Sequence, residues 1–106
     1  MLLFWAFSKL AKAKQKEGKY KEALEILQKA KKVVVFDGDK IKLGNKMMEI
    51  ITVMNADIHY KALLLTDVSF FLQEIYAKNG DVKNVAKQKK LQEVAEKLLK
   101  NSPLKH

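Results

Sequence analysis

The chain has no cysteine and no arginine, and it has one proline and four glycines among its 106 residues. Without cysteine it has no disulfide framework, no thiolate metal site and no cysteine nucleophile, and this usage fits a reducing compartment. Few residues force a break in the backbone, whereas the abundant Lys, Leu, Ala, Glu and Gln all favour helices. The length suits one small hydrophobic core, so we expect one helical domain.

Long apolar runs are also absent. The first seven residues are apolar, but the positive charges begin after them, at Lys9, which is the reverse of a secretory signal. No stretch approaches the roughly 20 apolar residues that span a bilayer. We expect a soluble, cytoplasmic protein without a transmembrane segment.

Negative charge is scarce at both ends of the chain, whose formal net charge is +9. Residues 1–32 carry nine lysines against three acids, residues 33–80 five against six, and residues 81–106 seven against three. The two ends are therefore cationic and the middle is close to neutral.

Helical periodicity runs through most of the sequence and is interrupted at Gly18, 37–39, 55–57 and 79–81. These segments hold the Gly or Asn that ends a helix and the Asp that caps the next. They predict helices over 2–17, 20–35, 39–54, 57–78 and 82–100. The run Val33–Phe36 is rich in β-branched residues, but an isolated strand would have no partner, so we predict it as the last turn of the second helix.

Two of these helices have a clear apolar face, because their apolar residues recur at spacings of three and four. In the second helix they are Tyr20, Ala23, Leu24, Leu27, Ala30 and Val34. In the fourth they are Ile58, Ala62, Leu65, Leu72, Ile75 and Tyr76, and Phe70 and Phe71 widen the stripe. We expect the fourth helix to form the centre of the core.

The segment from Gly18 to Leu24, Gly-Lys-Tyr-Lys-Glu-Ala-Leu, resembles the turn of a tetratricopeptide repeat. In that family each repeat is a helix–turn–helix unit of about 34 residues. Gly closes the first helix in a left-handed conformation, Tyr packs across the hairpin, and Ala lets the two helices approach closely. The matching residues are Leu10, Ala11, Gly18, Tyr20, Ala23, Leu27 and Ala30.

A second, weaker match lies at 76–82, Tyr-Ala-Lys-Asn-Gly-Asp-Val, and the middle of the chain is irregular. The resemblance implies an all-α fold of about five helices, with antiparallel hairpins stacked as a short right-handed superhelix. It implies one domain over 1–106, divided into a hairpin at 2–36, an irregular second unit at 39–65 and a third hairpin at 66–100. The proline that separates repeats in the family is replaced by residues 37–39.

The resemblance also implies a concave groove, lined by the first helix of each hairpin, that holds a peptide. By position, its residues would be Trp5, Ser8, Lys12, Lys16, Asn45, Glu49, Phe70 and Glu74. Some family members clamp the C-terminal carboxylate of heat-shock chaperones with a Lys-Asn pair. Ser8 and Lys12 stand in that place here, so that activity does not carry over. The charge of the chain by itself favours an acidic peptide.

The sequence shows no catalytic constellation. His59 stands alone in an apolar stretch and is better explained as a core or boundary residue than as a general base. Asp37 and Asp39 lack the further oxygen ligands of a calcium loop and suit helix caps. We expect a non-catalytic protein without cofactor or metal, which acts through binding.

Two further hypotheses concern the partner. Lys83, Lys87, Lys90 and Lys97 lie near one face of the fifth helix and favour phosphate contacts, which makes nucleic acid the alternative ligand. Against sequence-specific binding, no arginine is present and few aromatics alternate with the lysines. The apolar Leu2, Leu3, Phe4 and Trp5 exceed what one packed helix face needs, so either the fourth or fifth helix or a partner chain covers them. We expect self-association through them as a homodimer, or burial against another subunit, in preference to membrane contact.

Overall fold

A computed structural model describes residues 2–100, with side chains described from residue 4 onward. Over this range, five α-helices contain 87% of the residues and no β-strand is present, so the predicted all-α class is confirmed. None of these helices combines the length and hydropathy that a membrane span requires. The helices are α1 (Leu2–Lys16), α2 (Tyr20–Val33), α3 (Asp37–Val53), α4 (Ile58–Lys78) and α5 (Val82–Lys100).

The α1–α2 and α4–α5 turns are built in the same way. Gly18 has φ 77° and Gly80 has φ 72°, both in the left-handed region. After α1, the N–H of Lys19 donates to the carbonyl of Lys14 at 2.9 Å, and the N–H of Gly18 donates to that of Gln15 at 3.0 Å. This pair of bonds is the Schellman arrangement, and residues 76–81 repeat it. The predicted left-handed glycine at position 18 is confirmed.

Aspartates begin the two helices of the C-terminal half. Oδ2 of Asp57 accepts hydrogen bonds from the N–H groups of His59 at 3.0 Å and Tyr60 at 3.3 Å. Oδ1 of Asp81 accepts from the N–H of Asn84 at 3.2 Å. Both carboxylates satisfy donors that the first turn of a helix leaves free. Aspartate caps therefore fix the starts of α4 and α5.

The connection between α2 and α3 differs from the prediction. Helix α2 ends at Val33, Val34 and Phe36 have extended backbone, and α3 already begins at Asp37. The β-branched run is therefore a linker and not the last turn of α2, and residues 37–39 are the first turn of α3 and not a break. The β-branched side chains gain little from helical geometry, whereas two acids are favourable at the N-terminus of a helix dipole.

The helices fall into two compact units, α1–α3 and α4–α5. In the first, α2 packs against α1 and α3, and α3 also contacts α1. Small residues let α1 and α2 approach, and α3 presents an apolar stripe at helical spacing. The predicted division of a single repeat domain into three hairpins remains a prediction. The core of this unit comprises Ala11, Ala23, Leu24, Leu27, Ala30, Leu43, Met47, Ile50 and Ile51.

In the second unit α4 packs against α5, and the short turn makes the two helices antiparallel. The predicted apolar stripe of α4 is buried at Ala62, Leu72, Ile75 and Tyr76. Two residues assigned to that stripe are exposed, Ile58 at 54% and Phe70 at 50%, and Leu65 and Phe71 are half-buried. Phe70 lies outside the buried stripe of α4, because its position on the helix does not match the spacing of the buried residues.

The contact between α4 and α5 contains a polar cluster. The Ser69 hydroxyl donates to the Gln88 carbonyl at 2.6 Å, and Nε2 of Gln73 donates to Oε1 of Gln92 at 2.8 Å and to Ser69 Oγ at 3.3 Å. Nε2 of Gln92 donates to Glu96 at 3.2 Å. Among the side-chain nitrogen and oxygen atoms of the described residues, only Oε1 of Gln88 is buried without a hydrogen-bond partner. The sequence had not predicted this cluster.

Candidate functional site

A groove of about 330 Å³ lies in the first unit, where α1, the start of α2 and α3 meet. Six residues of the described part of the chain line it, three from α1, one from α2 and two from α3. All six side chains are polar, and three end in ammonium groups. The lining residues are Lys12, Gln15, Lys16, Tyr20, Lys46 and Glu49.

Helix periodicity and the α1–α2 turn place these side chains. Lys12, Gln15 and Lys16 follow the i, i+3, i+4 spacing that puts residues on one helix face. Tyr20 is the first residue of α2, directly after the turn at Gly18, and it is half-buried. The groove is therefore a product of the first hairpin and of the helix that packs against it.

The charges in the groove are unbalanced. Nζ of Lys46 lies 3.4 Å from Oε2 of Glu49, and this contact pairs the one acid among the described lining residues. Lys12 and Lys16 form no ion pair or hydrogen bond through their side chains with any residue that the structure describes. Two cations one helical turn apart are thus left without a counter-charge, and the groove attracts anions.

Trp5 lies on the same face of α1 as these lysines. Lys12 lies seven positions after Trp5, which corresponds to about 700° of helical rotation, or about 20° short of two turns. The indole is 58% exposed, and Nζ of Lys9 lies 5.0 Å from its ring centroid, within cation–π range. Ser8 is half-buried on the neighbouring part of α1. Trp5 does not line the groove itself, but it presents an exposed aromatic ring on the same face of α1, about two turns before Lys12.

The structure brings together some of the predicted site residues and separates others. Lys12, Lys16 and Glu49 line one groove. Asn45 is exposed on α3, one turn before Glu49, and does not line it. Phe70 and Glu74 are exposed on α4, which belongs to the other unit.

Sequence reasoning missed three lining residues, Gln15, Tyr20 and Lys46. Gln15 was detectable, since it shares a face of α1 with Lys12 at a spacing of three. Tyr20 was assigned to the apolar face of α2, where its half-burial also places it. Lys46 pairs with Glu49 at a spacing of three, a common pattern on helix surfaces that does not identify a site by itself.

The predicted self-association residues are only partly described. Leu2 and Leu3 belong to α1, but their side chains lie outside the described set. Phe4 is half-buried, and Trp5 is largely exposed. The prediction of a homodimer stays a prediction.

A second cationic surface lies on α5. Lys83, Lys87, Lys90 and Lys97 are all exposed, and none has a hydrogen bond or ion pair to a residue in the described range. This surface comes from one helix, and exposed Val94 lies among the lysines. Lys97 also lines a cavity of about 720 Å³, whose described lining residues include Glu93 and Glu96 beside Lys97 and Lys100, so lysines and acids are equal in number there.

His59 is part of the α4 cap. Its Nδ1 lies 3.2 Å from Oδ2 of Asp57, the carboxylate that also accepts the backbone hydrogen bonds of the first turn. Within residues 2–100 no three His, Asp or Glu side chains converge in a geometry that would hold a metal ion. The position of His59 agrees with the boundary role predicted for it.

Chemically, the groove offers ammonium groups, an amide and a phenol, and it therefore suits ligands rich in hydrogen-bond acceptors and negative charge. No protein-family model matches the chain, and comparisons with curated proteins and with solved structures found no match either. A functional assignment therefore depends on the residues of the chain itself.

Proposed function

We propose that the chain is a non-catalytic, cytoplasmic protein-interaction module whose groove between α1 and α3 binds acidic peptide segments of a partner protein. The observation that carries this proposal is the charge imbalance of the groove, where Glu49 is already paired and Lys12 and Lys16 are not. A tetratricopeptide-like scaffold remains part of the proposal, supported by the antiparallel first hairpin and its left-handed Gly18.

Electrostatics favours carboxylates over neutral or cationic ligands of the same size. A carboxylate accepts charge-assisted hydrogen bonds from Lys12 or Lys16, and the same ligand can accept from the Gln15 amide or the Tyr20 phenol. The cationic N-terminal segment adds long-range attraction for acidic partners and repulsion of basic ones. The partner class is thus defined by its negative charge.

Ion pairs supply only a small part of the free energy that peptide binding requires. Two exposed ion pairs contribute together about 0.4–2 kcal/mol, whereas micromolar binding requires about 8 kcal/mol. Hydrogen bonds to Gln15 and Tyr20 and apolar contacts beside the groove must supply the rest. A highly acidic but otherwise featureless peptide is therefore expected to bind weakly.

Calorimetric titration tests the proposal. A Gly/Ser-rich peptide with two glutamates and one leucine is titrated into the protein, and the same peptide with lysines in place of the glutamates is the comparison. We expect heat of binding only from the acidic peptide. Replacing Lys12 and Lys16 by Gln weakens binding about tenfold, since two ion pairs are lost.

Lys29→Gln with Lys32→Gln is the matched control, because it lowers the net charge equally on exposed lysines of α2 that do not line the groove. Equal weakening by both double variants would show that only the overall charge of the protein affects binding, and it would reject the groove as the binding site. Equal binding of the acidic and basic peptides would reject the acidic partner class altogether.

Self-association is the other form of protein binding that we propose, through the apolar N-terminal segment that includes Phe4 and the exposed Trp5. Burial of such residues in a two-fold interface would remove apolar surface from water. Sedimentation velocity is expected to show a dimer in the micromolar range. A monomer throughout that range would contradict it.

The unpaired lysines of α5 favour nucleic acid as a second candidate ligand. Phosphate binding by four lysines predicts that log K falls against log salt with a slope of about −3.6 for duplex DNA. Lys87→Gln with Lys90→Gln would reduce that slope by about 1.8, since two contacts are removed. A fluorescence anisotropy titration of a duplex in which binding does not change between 50 and 200 mM salt excludes this candidate.

A further inference from the structure

The ion pairs of the groove do not by themselves select a ligand. Each exposed pair changes an affinity by only about two- to fivefold. Apolar contact is the larger source of affinity in most recognition sites. The nearest apolar surface on the same face of α1 is the ring of Trp5.

Trp5 has the properties of an anchor. Its ring is more than half exposed, and the ammonium group of Lys9 lies over it at 5.0 Å. A cation over one part of the ring restricts its orientation, while the rest stays available for contact. Aromatic side chains also give a large contact area for the loss of few rotamers.

Helix geometry fixes the distances between this anchor and the unpaired lysines. The rise of 1.5 Å per residue places Lys12 about 10.5 Å from Trp5 along the α1 axis and Lys16 about 6 Å further. An extended peptide of polyproline II type advances about 3.1 Å per residue and returns to the same face every third residue. Three ligand residues therefore cover about the distance from Trp5 to Lys12.

We propose that the ligand of the groove is an extended peptide with an apolar side chain on Trp5, a first acid about three residues away facing Lys12, and a second acid about two or three residues further facing Lys16. This proposal rests on the proposed function, since it specifies the acidic peptide of that same site. The chain direction of the ligand is left to the experiment.

Charge complementarity argues for a separate partner, and not for a second copy, beside Lys12 and Lys16; a dimer formed through Phe4 and Trp5 would compete with this ligand for the indole. The chain has a net charge of +9, and residues 1–32 carry nine of its lysines. Two copies that face each other through Lys12 and Lys16 would repel. An acidic segment of another protein is attracted to the same surface.

The test compares labelled peptides of identical composition by fluorescence anisotropy. One set has the apolar residue three positions from the first of two glutamates, in both chain directions. The other set has it next to the first glutamate. We expect the better peptide of the spaced set to bind about tenfold more tightly, because only it reaches the indole and both lysines together.

Two variants of similar exposure separate an anchor from general hydrophobicity. Trp5→Ala should remove the preference for the spaced peptide, whereas Leu10→Ala should keep it. Leu10 is 56% exposed on another face of α1, so both substitutions remove an exposed apolar side chain from the same helix. Helix content by circular dichroism shows that both variants are folded.

Charge reversal tests the register. Lys16→Glu should weaken binding of the spaced peptide, and a peptide whose second glutamate is replaced by lysine should recover it. Failure of this rescue would overturn the assignment of the second acid to Lys16. Equal affinity of the two peptide sets, with a loss in Lys12→Gln/Lys16→Gln, would overturn the spacing and leave the proposed function intact. If neither peptide set binds, both the spacing and the proposed function are overturned.

Discussion

Gly18 occupies a backbone conformation that other residues reach only with strain. Its φ of 77° closes α1 and lets the chain reverse within three residues. A Cβ at this position would meet no atom within 4 Å, so space does not prevent substitution. The requirement for glycine is therefore conformational and not steric.

Gly18→Ala is expected to lower the free energy of unfolding by about 1 kcal/mol, the usual cost of a left-handed alanine. Chemical denaturation followed by circular dichroism measures it. Gly38→Ala is the matched control, since Gly38 has ordinary helical backbone in α3 and equal room for a Cβ. That control should be neutral or stabilising by up to about 1 kcal/mol. Equal losses in both variants would contradict the conformational explanation.

Gln88 is a second residue whose role is visible only in the fold. It is 8% exposed, and its backbone carbonyl, not its side chain, accepts the hydrogen bond from Ser69. Oε1 is buried without a donor among the described residues. A buried polar atom in that state usually costs about 1–3 kcal/mol.

Gln88→Leu should therefore raise the free energy of unfolding by about 1–2 kcal/mol, because a similar volume replaces an unsatisfied amide. Gln92→Leu should have the opposite sign, since it removes the acceptor of Gln73 at 2.8 Å. Urea denaturation of the two variants gives both values. Destabilisation by Gln88→Leu would mean that its amide is satisfied in solution.

At the scale of the helices, the ends of most helices were easier to predict from the sequence than the residues that are buried on each face. Glycine and aspartate identify the ends of α1 and α4 and the starts of α4 and α5, because they change the backbone or its hydrogen bonding locally. The predicted end of α2 and the predicted start of α3 both lie two residues too far along the chain. An extended linker buries Val34 as well as a helical turn would, so the apolar pattern did not distinguish the two conformations. Burial decided between these conformations, and burial depends on neighbouring helices.

The cap of α4 provides a test at this scale. Asp57→Ala should destabilise the chain by about 1 kcal/mol, because the N–H groups of His59 and Tyr60 lose their acceptor. Asp57→Asn should restore most of the loss, since asparagine caps equally well. Asp67→Ala, an exposed position within α4, is the control. Thermal unfolding in which Asp57→Ala and Asp67→Ala behave alike would contradict the cap.

At the scale of the whole molecule, excess positive charge opposes compaction. The formal net charge is +9, so like charges repel one another in the folded state. Exposed ion pairs contribute little to the free energy of unfolding and do not offset this repulsion. Raising sodium chloride from about 10 to 150 mM shortens the screening length from about 30 to 8 Å. We expect a gain on the order of 0.5 kcal/mol, about 3 °C in the unfolding midpoint of a chain of this length.

Differential scanning calorimetry across this salt range measures the shift. Lys29→Gln with Lys32→Gln lowers the net charge by two and should reduce the shift. A midpoint that falls as salt is added would mean that attraction between charges outweighs their repulsion. The same scans show how salt changes the stability of the free protein, which is the reference for the salt dependence of peptide binding.

The all-α class, the number of helices, the left-handed turn at Gly18 and the aspartates that begin α4 and α5 follow from the sequence alone, because they depend on interactions within a few residues. The sequence also placed Lys12, Lys16 and Glu49 among the candidate binding residues. Only the tertiary structure decided that Tyr20 and Lys46 join them, that Glu49 is already paired, and that Gln88 is buried without a donor. Those properties arise from the contact of one helix with another, and side-chain distances across such contacts are not encoded in local periodicity.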